Sequence, residues 1–252
     1  MTDLHGRVAL VTGSSRGIGA AIARCFAAEG AATVVHGRDP QAVATVQAEI
    51  TAAGGRAMSV LADLTDLTQI EAMRSSIESE LGPVELLVAN AGGNPIPPGP
   101  VEEITVEGWH ASVETNLTAT FLTIKAFLPG MKDRRRGTII TMSSAAARRP
   151  TAGSPTAYAA AKAGIELLSK QTAVQAGPFG IRVNCIAPET ILTERNRQLI
   201  PPRVQDQLRQ AHPIRRLGTP EDVADTALFL ASQRAGWISG VTLDVAGGSV
   251  LA

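Results

Sequence analysis

Tyr158 is the only tyrosine in the 252-residue chain, and Lys162 follows it one helical turn later. Within a helical stretch, that spacing projects both side chains from one face. A lysine ammonium beside a phenol favours the phenolate, so the pair predicts a Tyr158 pKa below its ordinary value of about 10. Such a group serves general acid–base catalysis, which needs a proton donor or acceptor matched to working pH. The bland alternative is a solvated lysine whose stem packs along the ring. Context favours chemistry, because the pair follows a strand-like run that ends in Ser143-Ser144.

A second constellation lies near the amino terminus. Thr12-Gly13-Ser14-Ser15-Arg16-Gly17-Ile18-Gly19 follows a short apolar run and opens directly into helical spacing at Ile18, Ile22 and Phe26. Glycines permit positive φ and close backbone approach, and the free N–H groups of a helix start attract a pyrophosphate. A strand, a glycine turn and a helix in that order point to a dinucleotide phosphate site. Metal chemistry has no comparable support. Cys25 and Cys185 lack CxxC spacing, and His5, His36, His110 and His212 are scattered. Both cysteines read as buried thiols in a reducing compartment.

The elements that would position these groups alternate along the chain. Arg7–Thr12, Ala32–His36, Ala57–Leu61, Val84–Ala89, Thr138–Met142, Ile181–Ile186 and Val241–Val245 read as seven strands. Helical segments lie between them: Gly17–Glu29, Asp39 to about Ala53, Asp66–Leu81, Thr105 to about Met131, Pro155–Ala176 and Thr219–Ala231. Asp39-Pro40 reads as an N-cap followed by a first-turn proline. Strands apolar throughout and separated by helices imply an α/β fold: a doubly wound, seven-stranded parallel sheet with helices on both faces, Rossmann-like. Such sheets bind ligands outside the carboxyl ends of their strands. No repeat or linker interrupts the chain, so one domain spanning residues 1–252 is expected, with a mobile substrate lid at about 189–215.

Composition excludes several classes. Lysine plus arginine and aspartate plus glutamate number 23 each and cancel, which argues against nucleic-acid or anionic-membrane binding. With 44% hydrophobic and 18% charged residues, global disorder is excluded. No apolar run approaches the ~20 residues of a membrane span. The first residues, with acidic Asp3 and no signal-type apolar stretch, point to the cytoplasm.

The GxxxGxG turn, Asn90-Ala91-Gly92 after the fourth strand, and the Tyr158/Lys162 pair with its upstream serines resemble the short-chain dehydrogenase/reductase family. The resemblance is to its compact single-domain branch and covers essentially the whole chain, with 3-oxoacyl-carrier-protein reductases as near relatives. It implies a catalytic set of Asn116, Ser144, Tyr158 and Lys162. Tyr158 exchanges a proton with the carbonyl or alcohol oxygen and Ser144 hydrogen-bonds that oxygen. Lys162 tunes Tyr158 and holds the nicotinamide ribose, while Asn116 links Lys162 to solvent. Gly13, Ser15, Arg16, Gly17, Ile18 and Gly19 would then border the cofactor phosphates. Asp63 and Leu64 would lie at the adenine, and Asn90, Ala91 and Gly92 at the ribose. Pro188, Ile191 and Thr193 would meet the carboxamide.

Where an NAD enzyme of this kind places a carboxylate on the ribose 2′-hydroxyl, this chain reads His36-Gly37-Arg38. Arg38 and Arg16 could grip a 2′-phosphate, so NADP(H) is expected over NAD(H). Glu189 stands where the family has glycine, and either strains or reshapes the turn, or faces substrate. The substrate pocket is expected from Gly93–Pro100, Ala145–Pro155 and Glu189–Arg215, with Ile96, Ile191, Leu192 and Leu199 as apolar lining and Arg148 and Arg149 at the mouth. Arg134–Arg136 reads as a solvated helix end or as a dock for an acidic carrier protein. Phe179 stands where carrier-protein reductases tend to be basic, which favours small or medium ketones and keto esters, with carrier-bound 3-oxoacyl thioesters as the alternative. A non-catalytic NADP(H)-binding regulator is the rival of another class. By resemblance alone, the carboxyl-terminal segment implies a homotetramer.

Overall fold

The computed structural model describes residues 4–151 and 153–251. Asp3 and Ala152, which entered the readings above, lie outside the described residues. Seven strands form one parallel sheet: β1 (Val8–Val11), β2 (Ala32–Gly37), β3 (Arg56–Leu61), β4 (Val84–Ala89), β5 (Gly137–Met142), β6 (Ile181–Pro188) and β7 (Thr242–Val245). Their spatial order is β3-β2-β1-β4-β5-β6-β7. The chain therefore winds outward from β1 in one direction, then returns to β4 and winds in the other. The crevice at that reversal opens between the loops after β1 and β4.

Alternation along each strand feeds two apolar layers. Ala9 and Val11 of β1 pack with Val35, Leu86 and Ile140 beneath α1 (Gly17–Ala28), α2 (Pro40–Ala52) and α9 (Pro220–Ala231). Val8 and Leu10 point the other way, with Val34, Leu87 and Val183, under α3 (Leu67–Glu80), α5 (Ala119–Arg134) and α6 (Thr156–Ala176). Branched side chains on both faces explain why the strands read as continuous apolar runs. Asp39 caps α2 by accepting the Gln41 and Ala42 N–H groups at 3.1 and 3.2 Å. Thr219 and Asp222 form a reciprocal capping box at α9.

The long helical stretch read from Thr105 to about Met131 is divided in the structure. α4 (Val106–Val113) and α5 are separated by a π-helical turn, Glu114–Thr118, that carries Asn116. The segment after β6 is more regular than its sequence suggested, with α7 (Glu194–Leu199) and α8 (Pro202–Ala211). Cys185 is buried but Cys25 is only partly so, and both are free thiols. Among the described residues, no helix is long and apolar enough to cross a membrane.

The three arginines at the end of α5 are engaged with their own fold. Arg134 donates to the Val84 carbonyl, Arg135 to the Pro178 carbonyl, and Arg136 pairs with Glu85 at 2.9 Å. They hold the starts of β4 and β6 to the end of α5.

Candidate active site

The glycine turn after β1 is shaped by its lack of side chains. Gly13 has φ +63, and a Cβ there would lie 2.8 Å from the Ala91 Cα. A Cβ on Gly19 would lie 2.4 Å from the Gly13 carbonyl oxygen and 2.6 Å from Asn90 Nδ2. Asn90 Nδ2 itself donates to the Thr12 and Gly13 carbonyls at 2.9 and 3.2 Å, tying β4 to the turn. Arg16, the N-cap of α1, gives no side-chain hydrogen bond to the helix start. Closely approachable backbone and an uncapped helix start together fit a bound phosphate.

His36 completes this end, and sequence reasoning missed it. Its Nδ1 accepts the Gly13 N–H at 3.1 Å, and its Nε2 lies 3.1 Å from the Ala62 carbonyl. The two contacts define the neutral tautomer with hydrogen on Nε2. Burial pushes its pKa down to about 4. The available signal was a polar residue in a strand otherwise buried throughout. Arg38 is exposed beyond it, and Arg16 pairs with Asp39 at 3.2 Å on the surface. Asp63 accepts the Thr65 N–H and hydroxyl at 2.9 and 2.8 Å, which holds its carboxyl below the usual range. Leu64 packs into the core layer.

At the other end, β5 and α6 bring the reactive side chains together. Lys162 lies 5.5 Å from the Tyr158 ring centroid and donates to the Met142 carbonyl at 2.8 Å. Ser144, which opens the turn after β5, acts on Tyr158 in the direction that favours the phenolate, and its Oγ accepts the Ala146 N–H at 3.2 Å. Asn116, fully buried on the π turn, accepts the Gly93 N–H at 3.0 Å and donates to the Gly93 and Ser112 carbonyls at 2.8 Å each. A Cβ on Gly92, whose φ is +151, would lie 2.6 Å from Asn116 Oδ1 and 3.3 Å from Lys162 Nζ. Asn116 and Lys162 thus meet beside Gly92, with the Tyr158 ring next to Lys162 and Ser144 at the end of β5. Thr193 faces the glycine turn, its Cγ2 lying 3.3 Å from where a Gly17 Cβ would stand.

The electrostatics correct one expectation. Tyr158 is raised above 10, because burial disfavours the phenolate by more than the Ser144 hydrogen bond favours it. Burial lowers Lys162 to about 8, and its ammonium points at a carbonyl rather than at the phenolic oxygen. The pair is one-faced as its spacing required, but the phenol stays protonated at neutral pH.

Other expectations shift as well. Glu189 has no left-handed backbone, since Arg135 is the only described non-glycine residue with positive φ. The Glu189 N–H bonds the Val245 carbonyl, and its carboxylate meets His212 Nε2 at 2.6 Å, so it joins the turn to the end of α8. Ile191 is buried in the core rather than lining a pocket. Arg148 turns inward to ion pairs instead of marking a basic rim. A cavity of about 440 Å³, bounded by Glu189, His212, Arg216, Asp222, Asp244 and Gly247, contains none of Asn116, Ser144, Tyr158 and Lys162.

A dinucleotide-type crevice bordered by a Ser–Tyr–Lys–Asn group defines a class, and comparison with known proteins gives the family. A family model described as enoyl-(acyl carrier protein) reductase matches residues 13–249. The chain belongs to the short-chain dehydrogenase/reductase family of oxidoreductases. It is 40% identical over 245 residues to 2,5-dichloro-2,5-cyclohexadiene-1,4-diol dehydrogenase LinX of Sphingobium indicum, covering 97% of this chain and 96% of that protein. A 3-oxoacyl-[acyl-carrier protein] reductase from Brucella melitensis with bound NAD superposes with a TM-score of 0.91 at 36% identity, covering 99% of this chain and 93% of that one. A gluconate 5-dehydrogenase from Burkholderia cenocepacia, in complex with NADP and tartrate, gives 0.91 at 32% identity over 98% and 96%.

Proposed function

We propose that this protein is an NADP(H)-dependent reductase of ketones or keto esters, interconverting a carbonyl and a secondary alcohol. The observation that carries this reading is the Lys162 Nζ 5.5 Å from the Tyr158 ring centroid on one face of α6, with Ser144 opening the turn after β5. When bound, the nicotinamide cofactor supplies the hydride.

Tyr158 holds the proton that the carbonyl oxygen receives, and Ser144 donates a hydrogen bond to the same oxygen. A phenol raised above 10 is fully protonated at pH 7, which suits the reductive direction. Alcohol oxidation needs the phenolate and gains at alkaline pH. Lys162 holds the nicotinamide ribose and, through Asn116 beside Gly92, exchanges its proton with solvent. Gly13, Ser15, Arg16, Gly17, Ile18 and Gly19 cradle the phosphates, Asp63 and Leu64 border the adenine, and Asn90, Ala91 and Gly92 border the ribose. Pro188, Ile191 and Thr193 lie along the carboxamide.

The preference for NADP(H) rests on charge. No uncommitted carboxylate stands at the end of β2, because Asp39 caps α2 and pairs with Arg16, while Arg38 is free to meet a 2′-phosphate. Residues 189–215 act as a mobile lid over one domain. Exposed Phe121, Leu167 and Val174 on α5 and α6 support association of copies, which we read with the family resemblance as a homotetramer in the cytoplasm.

The test is NADPH consumption against ketones, keto esters, quinones and carrier-bound 3-oxoacyl thioesters, repeated with NADH. Turnover of free ketones with NADPH supports the reading. Turnover of thioesters alone would reassign the substrate, and dinucleotide binding with no turnover would make the protein a regulator.

A further inference from the structure

Ser144 opens a single 3-10 turn, Ala145–Ala147, and Arg148 closes it. Backbone bonds from Ala147 to Ser144 and from Arg148 to Ala145, both 3.0 Å, make the turn one short rigid piece. One carboxylate grips it from both sides. Glu166, one turn beyond Lys162 on α6, accepts the Ser143 hydroxyl on Oε1 at 2.8 Å and Arg148 Nη1 on Oε2 at 3.1 Å. Ser143 also lies 3.1 Å from the Lys162 carbonyl. The Arg148 guanidinium then reaches Asp244 on β7, with Nε 2.8 Å from Oδ1. The three charged side chains are 12–21% exposed.

A guanidinium spreads its charge over a rigid plane and can pair with two separated carboxylates at once: Nη1 donates to Glu166, while Nε and Asp244 Oδ1 attract by charge without hydrogen-bond geometry. Removing it would leave two mostly buried carboxylates without their common partner. The turn between the grip points begins at Ser144, the hydroxyl assigned above to the reacting oxygen, and a misplacement of about 1 Å at a reacting group costs about 10²-fold.

We propose that Arg148, clamped by Glu166 and Asp244, is a positioning residue that seats the Ser144 hydroxyl on Tyr158. This deepens the reductase reading and rests on its assignment of Ser144 and Tyr158. The clamp acts through the serine, not by touching substrate. Arg148 and Glu166 are consequently coupled to Ser144 in energy as well as in place.

The sole tyrosine makes this testable without substrate or cofactor, because the phenolate absorbance of the full chain reports Tyr158 alone. Arg148→Met is expected to raise the midpoint of that titration by as much as Ser144→Ala does. The double variant is expected to raise it no further. Glu166→Gln, which keeps an acceptor for Ser143, gives a smaller shift of the same sign, and Arg148→Lys restores only part of the midpoint. These two serve if Arg148→Met does not fold. An unchanged midpoint beside a lowered Tm would make Arg148 a brace of the fold only. An equal further shift in the Ser144→Ala background would make it a direct charge effect; either result overturns the proposal. On any ketone that is reduced, Arg148→Met is expected to lower kcat about 10-fold with cofactor Kd unchanged. Failure of the ketone panel would remove the reductase reading and leave the titration result standing.

Discussion

The two ends of the crevice are built on different physics. At the β1–β2 end, position is enforced by missing side chains, backbone contacts and a neutral imidazole: Gly13, Gly19, Asn90 and His36. At the β5–α6 end, it is enforced by charges taken largely out of water: Lys162, Glu166, Arg148 and Asp244. The first end can receive an anion because nothing in it already neutralises one. In the proposed reaction the second moves a proton, and burial and hydrogen bonds set the protonation states of its groups.

The largest effect expected from breaking this contrast is at the reacting end. Tyr158→Phe keeps the ring and removes the hydroxyl proposed to give the carbonyl oxygen its proton, so kcat should fall by about 10³-fold. NADPH binding, followed by fluorescence, should remain measurable, because the glycine end is untouched. Near-normal kcat in this variant would sink the assignment.

Acid should attack the opposite end. His36 titrates at about 4 in the fold against 6.5 ordinarily. Between those values the unfolded chain takes up a proton that the folded chain refuses, so stability falls as pH drops from 6.5 towards 4. The difference corresponds to about 3 kcal/mol, measurable as a shift in urea midpoint. His36→Gln, able to accept from Gly13 and donate to Ala62, should flatten that dependence.

Gly19→Ala tests the steric side of the comparison. Its Cβ would lie 2.4 Å from the Gly13 carbonyl, so the turn must move. Cofactor Kd should rise by about 10²-fold, with a smaller loss of Tm, since close backbone approach is what the glycine provides. An unchanged Kd would mean that phosphates do not sit there. The smallest effect is the sharpest for specificity: Arg38→Asp should reduce kcat/KM for NADPH by about 10-fold while leaving or improving that for NADH. Equal loss with both cofactors would remove Arg38 from 2′-phosphate recognition.

Much of this was legible from spacing. Tyr158 and Lys162 share a helical face because α6 contains both, and the glycines mark a turn because side chains would collide there. Asp39 read as a cap and is one. Less legible were groups whose partners are distant in the chain. Glu189 looked strained or substrate-facing until His212 was found at 2.6 Å. Arg148 looked like a rim charge until Glu166 and Asp244 enclosed it. The break at Glu114–Thr118 was implied at Asn116 by the family resemblance but not by spacing, because a π turn inserts one residue into a helix without changing its apolar pattern enough to be seen.

Local chemistry and periodicity were enough to specify the parallel α/β sheet, the phosphate-type turn and the tyrosine–lysine face, since each depends on residues near one another in the chain. The protonation states did not follow from spacing. Adjacency suggested an acidic phenol, whereas the packed interior raises Tyr158 and brings Lys162 to about 8. Desolvation depends on everything that surrounds a group, and that enclosure exists only after β5, β6, α6 and the loop behind Gly92 have been brought together.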